Sequence, residues 1–353
     1  MLNVQDILEE AVTRSASDIL IVAGLPVSLK IGGRILRDEK RLLPDDTFEL
    51  VNGLYEIAGR EITRLENTGD DDFSFSVRGL ARFRVNAFRQ RGSLSAVVRT
   101  VSFSLPDRNE LGLPDVVMDL AKRPHGMVLI TGPAGSGKTT TLACMVEEIN
   151  TTREAHVITI EDPIEYLHQH KCSVVTQREL LTDTQSYNTA LRAALREAPD
   201  VILVGEMRDS ETIKAAVTAA ETGHLVISTL HTIGAANTVD RIVDSFPPEQ
   251  QNQIRTQLSL VLEGVVSQQL LPTVDDSLVP AFEIMVATPA VRNMLREAKA
   301  YQLDSVLSTS ANLGMITMDQ SILSLVKSGR VSAETAQRFA SNPDWLNRRL
   351  SEH

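Results

Sequence analysis

Two cysteines, Cys144 and Cys172, are all that 353 residues contain. They form no CxxC pair, so a four-cysteine zinc site is excluded and no disulfide framework is expected. A secretory signal is missing as well: Asp6, Glu9 and Glu10 stand where a signal peptide would be basic, so the expectation is a reduced, cytoplasmic protein. Long hydrophobic runs are absent. The run Ile19–Leu29 is short and broken by Gly24 and Pro26, which excludes it as a membrane span; work at a membrane would go through protein partners. Aromatic residues make up 4%, with a single Trp at Trp345. Positive charge is in deficit, with 35 Lys and Arg against 46 Asp and Glu and a net charge of −11. Most of such a surface repels a polyanion, so no direct nucleic-acid partner is expected. The 42% hydrophobic content suffices for a packed core, and the length suits two domains of ~100–200 residues each.

An α/β organisation follows from the patterning. Val4, Ile7, Leu8, Ala11 and Val12 recur at helical spacing. Strand-like runs cover 19–23 and 27–31, Gly32-Gly33 signals a hairpin, a helix is predicted near 45–59, and alternation returns around 73–77, 81–87 and 94–101. Residues 1–101 therefore read as a small α/β domain, and the polar, Pro-containing stretch 102–114 as a linker. Beyond it, apolar runs at 127–131, 156–160, 201–204 and 225–230 alternate with helical segments, the rhythm of a parallel sheet buried on both faces. This core is expected over 115–284. From 285 to 353 the chain reads as helical, with starts at Thr288-Pro289 and at a Thr317–Gln320 capping box, the latter helix closed by Gly329.

Residues 132–139 read GPAGSGKT, a full match to the phosphate-binding pattern G-x-x-x-x-G-K-[ST], with a strand entering and a helix leaving. The loop Gly132, Pro133, Ala134, Gly135, Ser136, Gly137 turns successive N–H groups toward a phosphate, and the helix N-terminus adds partial positive charge. Lys138 is expected to reach the β- and γ-phosphates of ATP, Thr139 to ligate Mg²⁺, and Thr140 to meet the α-phosphate. Hydrolysis also needs carboxylates at neighbouring strand ends. Glu206, in VILVGEMRD, is the candidate for the metal, held through its waters. Glu161, in ITIEDPIEY, is the candidate for the attacking water. His224 and His231 bracket LVISTL, placing His231 at the nucleotide end, where an imidazole can sense the γ-phosphate.

From Phe73 to Pro106 there is no acidic residue but six arginines, at 78, 82, 84, 89, 91 and 99. In ARFRVNAF, Arg82, Arg84 and Asn86 share one strand face. That face is either a solvated sheet surface or one that meets an anion, such as the nucleotide of a neighbouring subunit. A single-stranded nucleic-acid groove is the rival, but it needs exposed aromatics, and Phe83 lies on the opposite face.

GPAGSGKT, ITIEDPIEYLH, ALREAPDVILVGEMRD and GHLVISTLHT, in that order, resemble the type II/IV secretion ATPases, and within them the twitching-motility branch. The likeness runs along nearly the whole chain, including SDILIVAGLP and RFRVNAFRQRG. It implies a PAS-like N-terminal domain and a RecA-like ATPase domain with a helical C-terminal subdomain. It further implies a homohexamer at the inner-membrane base of a type IV pilus, gripping a membrane platform protein and driving pilus retraction. By matched position, Glu161 is the implied general base, Glu206 the Walker B carboxylate, His224 and His231 the His box, and Arg82, Arg84 and Arg91 the choices for arginines acting in trans. AVRNMLRE (290–297) is similar to the motif associated with retraction; Val291, Met294, Leu295 and Ala298 are expected on one helix face, with Arg292 and Arg296 on another. A pilus-extension or secretion ATPase is the alternative, although those relatives usually carry an extra N-terminal domain and a four-cysteine zinc site. The chain departs from the family pattern at Ala134 and Thr139, where Thr and Ser are common, and in SDILIVAG, which lacks the His often seen there; Glu206 stands where the usual P-loop pattern has Asp.

Overall fold

In the computed structural model, residues 3–101, 105 and 107–351 are described. Of the expected linker 102–114, residues 102–104 and 106 lie outside the described residues. The chain divides into two compact units, Met1–Ser104 with Glu165–Leu167, and Leu105–Ile164 with His168–His353.

The first unit opens with α1 (Val4–Thr13). The Asn3 side chain accepts from the Gln5 N–H at its start, and Val4, Ile7, Leu8 and Ala11 form its buried face. There follow β1 (Asp18–Ile21), β2 (Pro26–Ile31), β3 (Arg34–Arg41), α2 (Pro44–Ala58), α3 (Thr63–Thr68), β4 (Asp70–Val77), β5 (Ala81–Gln90) and β6 (Ser93–Val101). Among the described residues these strands make a six-stranded sheet, β3-β2-β1-β6-β5-β4, with every neighbour antiparallel. The Gly32-Gly33 turn joins β2 to β3, pairing Ile31 with Arg34. β3 lies outside the expectation above, because RILRDEKR has no apolar alternation; as an edge strand it needs only backbone pairing. On β5, Ala81, Phe83, Val85 and Ala87 are buried, while Arg82, Arg84 and Asn86 lie on the other face, partly or fully exposed.

The second unit runs α4 (Asp115–Ala121), β7 (Gly126–Thr131), α5 (Lys138–Thr152), β8 (His156–Glu161), β9 (Val174–Glu179), α6 (Tyr187–Ala194), β10 (Val201–Val204), α7 (Ser210–Glu221), β11 (Leu225–Leu230), α8 (Ala235–Asp244), α9 (Pro248–Val261), β12 (Leu262–Pro272) and β13 (Leu278–Val286). It ends with α10 (Pro289–Arg296), α11 (Leu303–Thr309), α12 (Met318–Lys327), α13 (Ala333–Phe339) and α14 (Pro343–Ser351). Its sheet is ordered β13-β12-β7-β11-β10-β8-β9. The four expected strands form the contiguous parallel centre, β7-β11-β10-β8. Met127, Leu129, Ile158, Ile160, Ile202 and Val204 enter the core on one face. Val128, Ile130, Val157, Val201 and Leu203 enter the core on the other. Burial on both faces is why these strands read as unbroken apolar runs.

The C-terminal helices start where the caps place them. Thr288 accepts from Val291 N–H, Thr317 and Gln320 complete a capping box, and Gly329 follows the last turn of α12 with φ of 72°. α12, α13 and α14 pack on the β12–β13 pair through Leu271, Val279, Met318, Ile322, Val331 and Leu346, whereas α10 and α11 join the core with α8 and α9 through Val291, Leu295, Leu303 and Leu307. One expectation is corrected here. In α10, Val291 and Leu295 are buried as expected, but the helix ends at Arg296, so Ala298 lies beyond its face. Arg292 is not presented outward with Arg296. It donates to the Ser259 and Leu260 carbonyls (3.2 and 2.8 Å) and to Glu263 (2.6 Å), which pins α10 to the end of α9.

Candidate active site

The phosphate loop hangs between β7 and α5, with β12 beneath it. Gly132 has φ of 140°, and a Cβ there would sit 2.1 Å from the Gln268 carbonyl oxygen, so only glycine fits. Gly137, at φ of 85°, is the N-cap of α5 and lies against the Gln268 side chain. Gln268 is itself buried, and its Oε1 accepts from the Thr141 hydroxyl at 2.7 Å. Lys138 is buried at 8% exposure, and its Nζ donates to the carbonyls of Gly132 (2.8 Å) and Pro133 (2.9 Å). Burial lowers the Lys138 pKa, and the Glu206 charge pulls it back up. The hydroxyls of Thr131 and Ser136 are buried with no partner among the described residues. Native interiors rarely leave such oxygens unpaired. A loop with a buried ammonium, exposed helix N–H groups and an unpaired hydroxyl suits a polyphosphate.

The parallel register sets the rest of the constellation. Ile160 aligns with Val204, and Val204 with Ser228, so β8, β10 and β11 deliver Glu161, Glu206 and His231 to the same carboxyl edge of the sheet as the loop. Glu161 Oε1 accepts from Thr159 Oγ1 (2.6 Å) and Gln177 Nε2 (3.1 Å). Glu206, mostly buried, pairs with Arg208 at 2.6 Å and lies 3.5 Å from His231 Nε2. Tyr187, at the start of α6, stands close to Gly205. Burial, reinforced by the charges of Glu206, Asp162 and Glu161, pushes its phenol pKa up, so it is a neutral O–H at physiological pH.

Two cavities flank the loop and Glu206. One of about 220 Å³ is lined by Leu111, Gly137, Thr140, Thr141, Gln268 and Arg330, beside the first turn of α5. The other, of about 360 Å³, is lined by Glu206, Arg208, His231, Thr232 and Arg241.

The structure thus brings together the loop, Lys138, Glu161, Glu206 and His231. It does not bring His224 to them. His224 precedes β11, at the opposite end from His231, and its Nδ1 lies 2.9 Å from the Ala219 carbonyl oxygen, which ties the strand to the end of α7. Nor does it group the three arginines. Arg82 and Arg84 share the β5 face, whereas Arg91 sits in the β5–β6 turn with φ of 50°, about 30 Å along the strand from Arg82 at ~3.4 Å per residue. Arg84 stands across from Arg99, whose charge is answered by Asp18 at 3.0 Å. Gln268, Tyr187, Arg208 and Gln177 are additions that motif reading missed. Arg208 lies inside a motif already quoted; the other three carry no local signal, because each meets the site from a distant element.

A Walker-type loop on a parallel α/β sheet, faced by strand-end carboxylates, defines a P-loop nucleotide-binding protein. Comparison with known proteins is more specific. The family model described as type II/IV secretion system protein matches residues 2–301, and the chain belongs to that family. The chain is 45% identical over 345 residues to the type IV pilus retraction ATPase PilT of Pseudomonas aeruginosa, covering 97% of this chain and 99% of the relative. It is 54% identical over 277 residues to a twitching motility protein of Neisseria gonorrhoeae, covering 78% and 74%. A crystal structure of the pilus retraction motor PilT with bound ADP superposes with a TM-score of 0.91 at 47% identity, covering 99% of this chain and all of that one.

Proposed function

We propose that this protein is an ATP-hydrolysing motor that powers retraction of a type IV pilus, working as a cytoplasmic homohexamer on a platform protein at the inner membrane. The observation that carries the reading is Lys138, Glu161, Glu206 and His231 on one sheet edge, in a chain that matches retraction ATPases along nearly its full length. Among the described residues, no helix is long and apolar enough to cross a membrane. The grip on the membrane is therefore assigned to the platform partner.

In this reading the loop amides and Lys138 hold the phosphates of ATP, and the adenosine end enters the cavity beside Thr140 and Thr141. The Thr139 hydroxyl and the Glu206 carboxylate are hard oxygen donors of the kind Mg²⁺ takes. Among the described residues no cluster of His, Cys, Asp or Glu holds a metal by itself, so phosphate oxygens and water complete the shell. Bound Mg²⁺ would neutralise charge developing on the transferred phosphoryl group. Glu161, its carboxylate aimed by Thr159 and Gln177, accepts the proton of the attacking water. His231, beside Glu206, reports loss of the γ-phosphate to the segment leading into α8.

The arginine face of β5 belongs, on this reading, to the nucleotide of the adjacent subunit, with Arg84 the leading choice. Arg84→Ala should lower steady-state phosphate release by roughly 10²-fold, the usual loss for one transition-state donor. Mixed with Lys138→Ala subunits it should regain part of that activity, because some seams then hold an intact Lys138 and an intact Arg84; no gain on mixing would place the arginine elsewhere. In cells, deleting the gene should leave surface pili in place while abolishing twitching. Bald cells would instead indicate pilus extension.

A further inference from the structure

Glu283 is a buried carboxylate on β13, with no ion-pair partner among the described residues. Burial pushes its pKa up, opposed by backbone N–H groups of Ala235 and Met318. Both amides face it from helix starts: Oε1 accepts from Ala235 N–H at 2.7 Å, at the first residue of α8, and Met318 N–H, at the first residue of α12, is close enough to lower its pKa. Two helix N-termini, from segments about 80 residues apart, thus face one side chain whose charge both favour, one of them through a direct hydrogen bond.

The neighbours of this contact lead to the nucleotide site. Across the β12–β13 ladder Glu283 faces Ser267, whose Oγ accepts from Gly234 N–H at 2.9 Å. On its other side Ser267 pairs with Thr131, the residue before Gly132 of the phosphate loop. Gly234 follows His231 by three residues, and His231 is the group beside Glu206. On the α12 side, Ile284 and Ile316 exchange backbone hydrogen bonds at 2.9 and 3.2 Å. The α12 capping box serves the Thr317 and Gln320 amides, and Phe282 N–H, next to Glu283, donates to Ser321 Oγ of α12 at 3.0 Å.

We propose that Glu283 is a positioning residue that, with Ser267, clamps the His231–Gly234 segment to the C-terminal helices, so that a change at the γ-phosphate edge moves α8 and α12 as one body. This rests on the ATPase reading and adds to it the route by which nucleotide state leaves the site. A carboxylate offers acceptors to both helices at once; an amide of the same size offers one oxygen and turns an N–H₂ toward the other.

Glu283→Gln in the full chain should lower kcat for ATP hydrolysis about tenfold, within the usual span of coupling energies, while KM and the affinity for ADP stay at wild-type values. Ser267→Ala, which removes only the Gly234 contact, should give a smaller fall of the same kind. Without any substitution, hydrogen exchange on the wild-type chain should show ADP slowing exchange at Ala235 and Met318 together. The clamp is overturned by wild-type kcat in Glu283→Gln, by ADP affinity falling in step with kcat, or by ADP protecting Ala235 while leaving α12 unchanged. The exchange experiment requires nucleotide binding alone, so it judges the clamp separately from hydrolysis. A wild-type chain that binds ADP but releases no phosphate counts against the ATPase reading, not against the clamp.

Discussion

Lys138→Ala is expected to reduce ATP hydrolysis by about 10³-fold or more, the largest effect of any single change in the protein. Two losses combine. The ammonium that would meet the β- and γ-phosphates on the proposed reading disappears, and the carbonyls of Gly132 and Pro133, which it now holds at 2.8 and 2.9 Å, are left without their donor. Because Lys138 is buried, water does not replace the charge cheaply, and the loop loses the feature that draws a polyphosphate in. Nucleotide affinity should fall along with turnover. Fluorescence titration with a labelled ADP and a phosphate-release assay, run on the same preparation, check both. Wild-type turnover in the variant would overturn the assignment of the loop.

Glu206→Gln should act differently. The amide keeps the volume and one acceptor oxygen but gives up the negative charge that pairs with Arg208 and faces His231. Phosphate release should fall by about 10²–10³-fold, because the lost term is electrostatic and is felt most as charge develops in the transition state. ADP binding should remain close to wild type, since the loop amides and Lys138 are untouched. The contrast between the two variants, one failing at binding and turnover and the other at turnover alone, separates holding the phosphates from completing the chemistry. Equal loss of ADP affinity in both would instead mean that Glu206 serves mainly to hold Lys138, whose pKa it raises.

Much of the catalytic edge could be read along the chain. GPAGSGKT lies between an apolar run and a helix, Glu161 and Glu206 each close an apolar run, and Thr288, Thr317 and Gly329 mark helix ends. Each is a local device: backbone conformation, capping and strand periodicity are decided by residues within a few positions of one another, so their chemistry shows in the order of the letters. Burial of the parallel strands on both faces left the same kind of trace, in continuous apolar runs.

What the linear pattern did not contain was who meets whom. Gln268 lies over 130 positions from the glycines it supports, Tyr187 comes near the strand-end carboxylates from α6, and Arg292, which spacing grouped with Arg296, is held by the end of α9 instead. The separation of His224 from His231 and of Arg91 from Arg84 is likewise a matter of strand length and turn position, not of residue type. By itself the sequence determined the loop, the strand-end positions of Glu161 and Glu206 and several helix starts. The tertiary structure alone decided the partners, because those depend on the order in which β12, β7, β11, β10 and β8 lie side by side, and sheet order is fixed by packing between segments far apart in the chain.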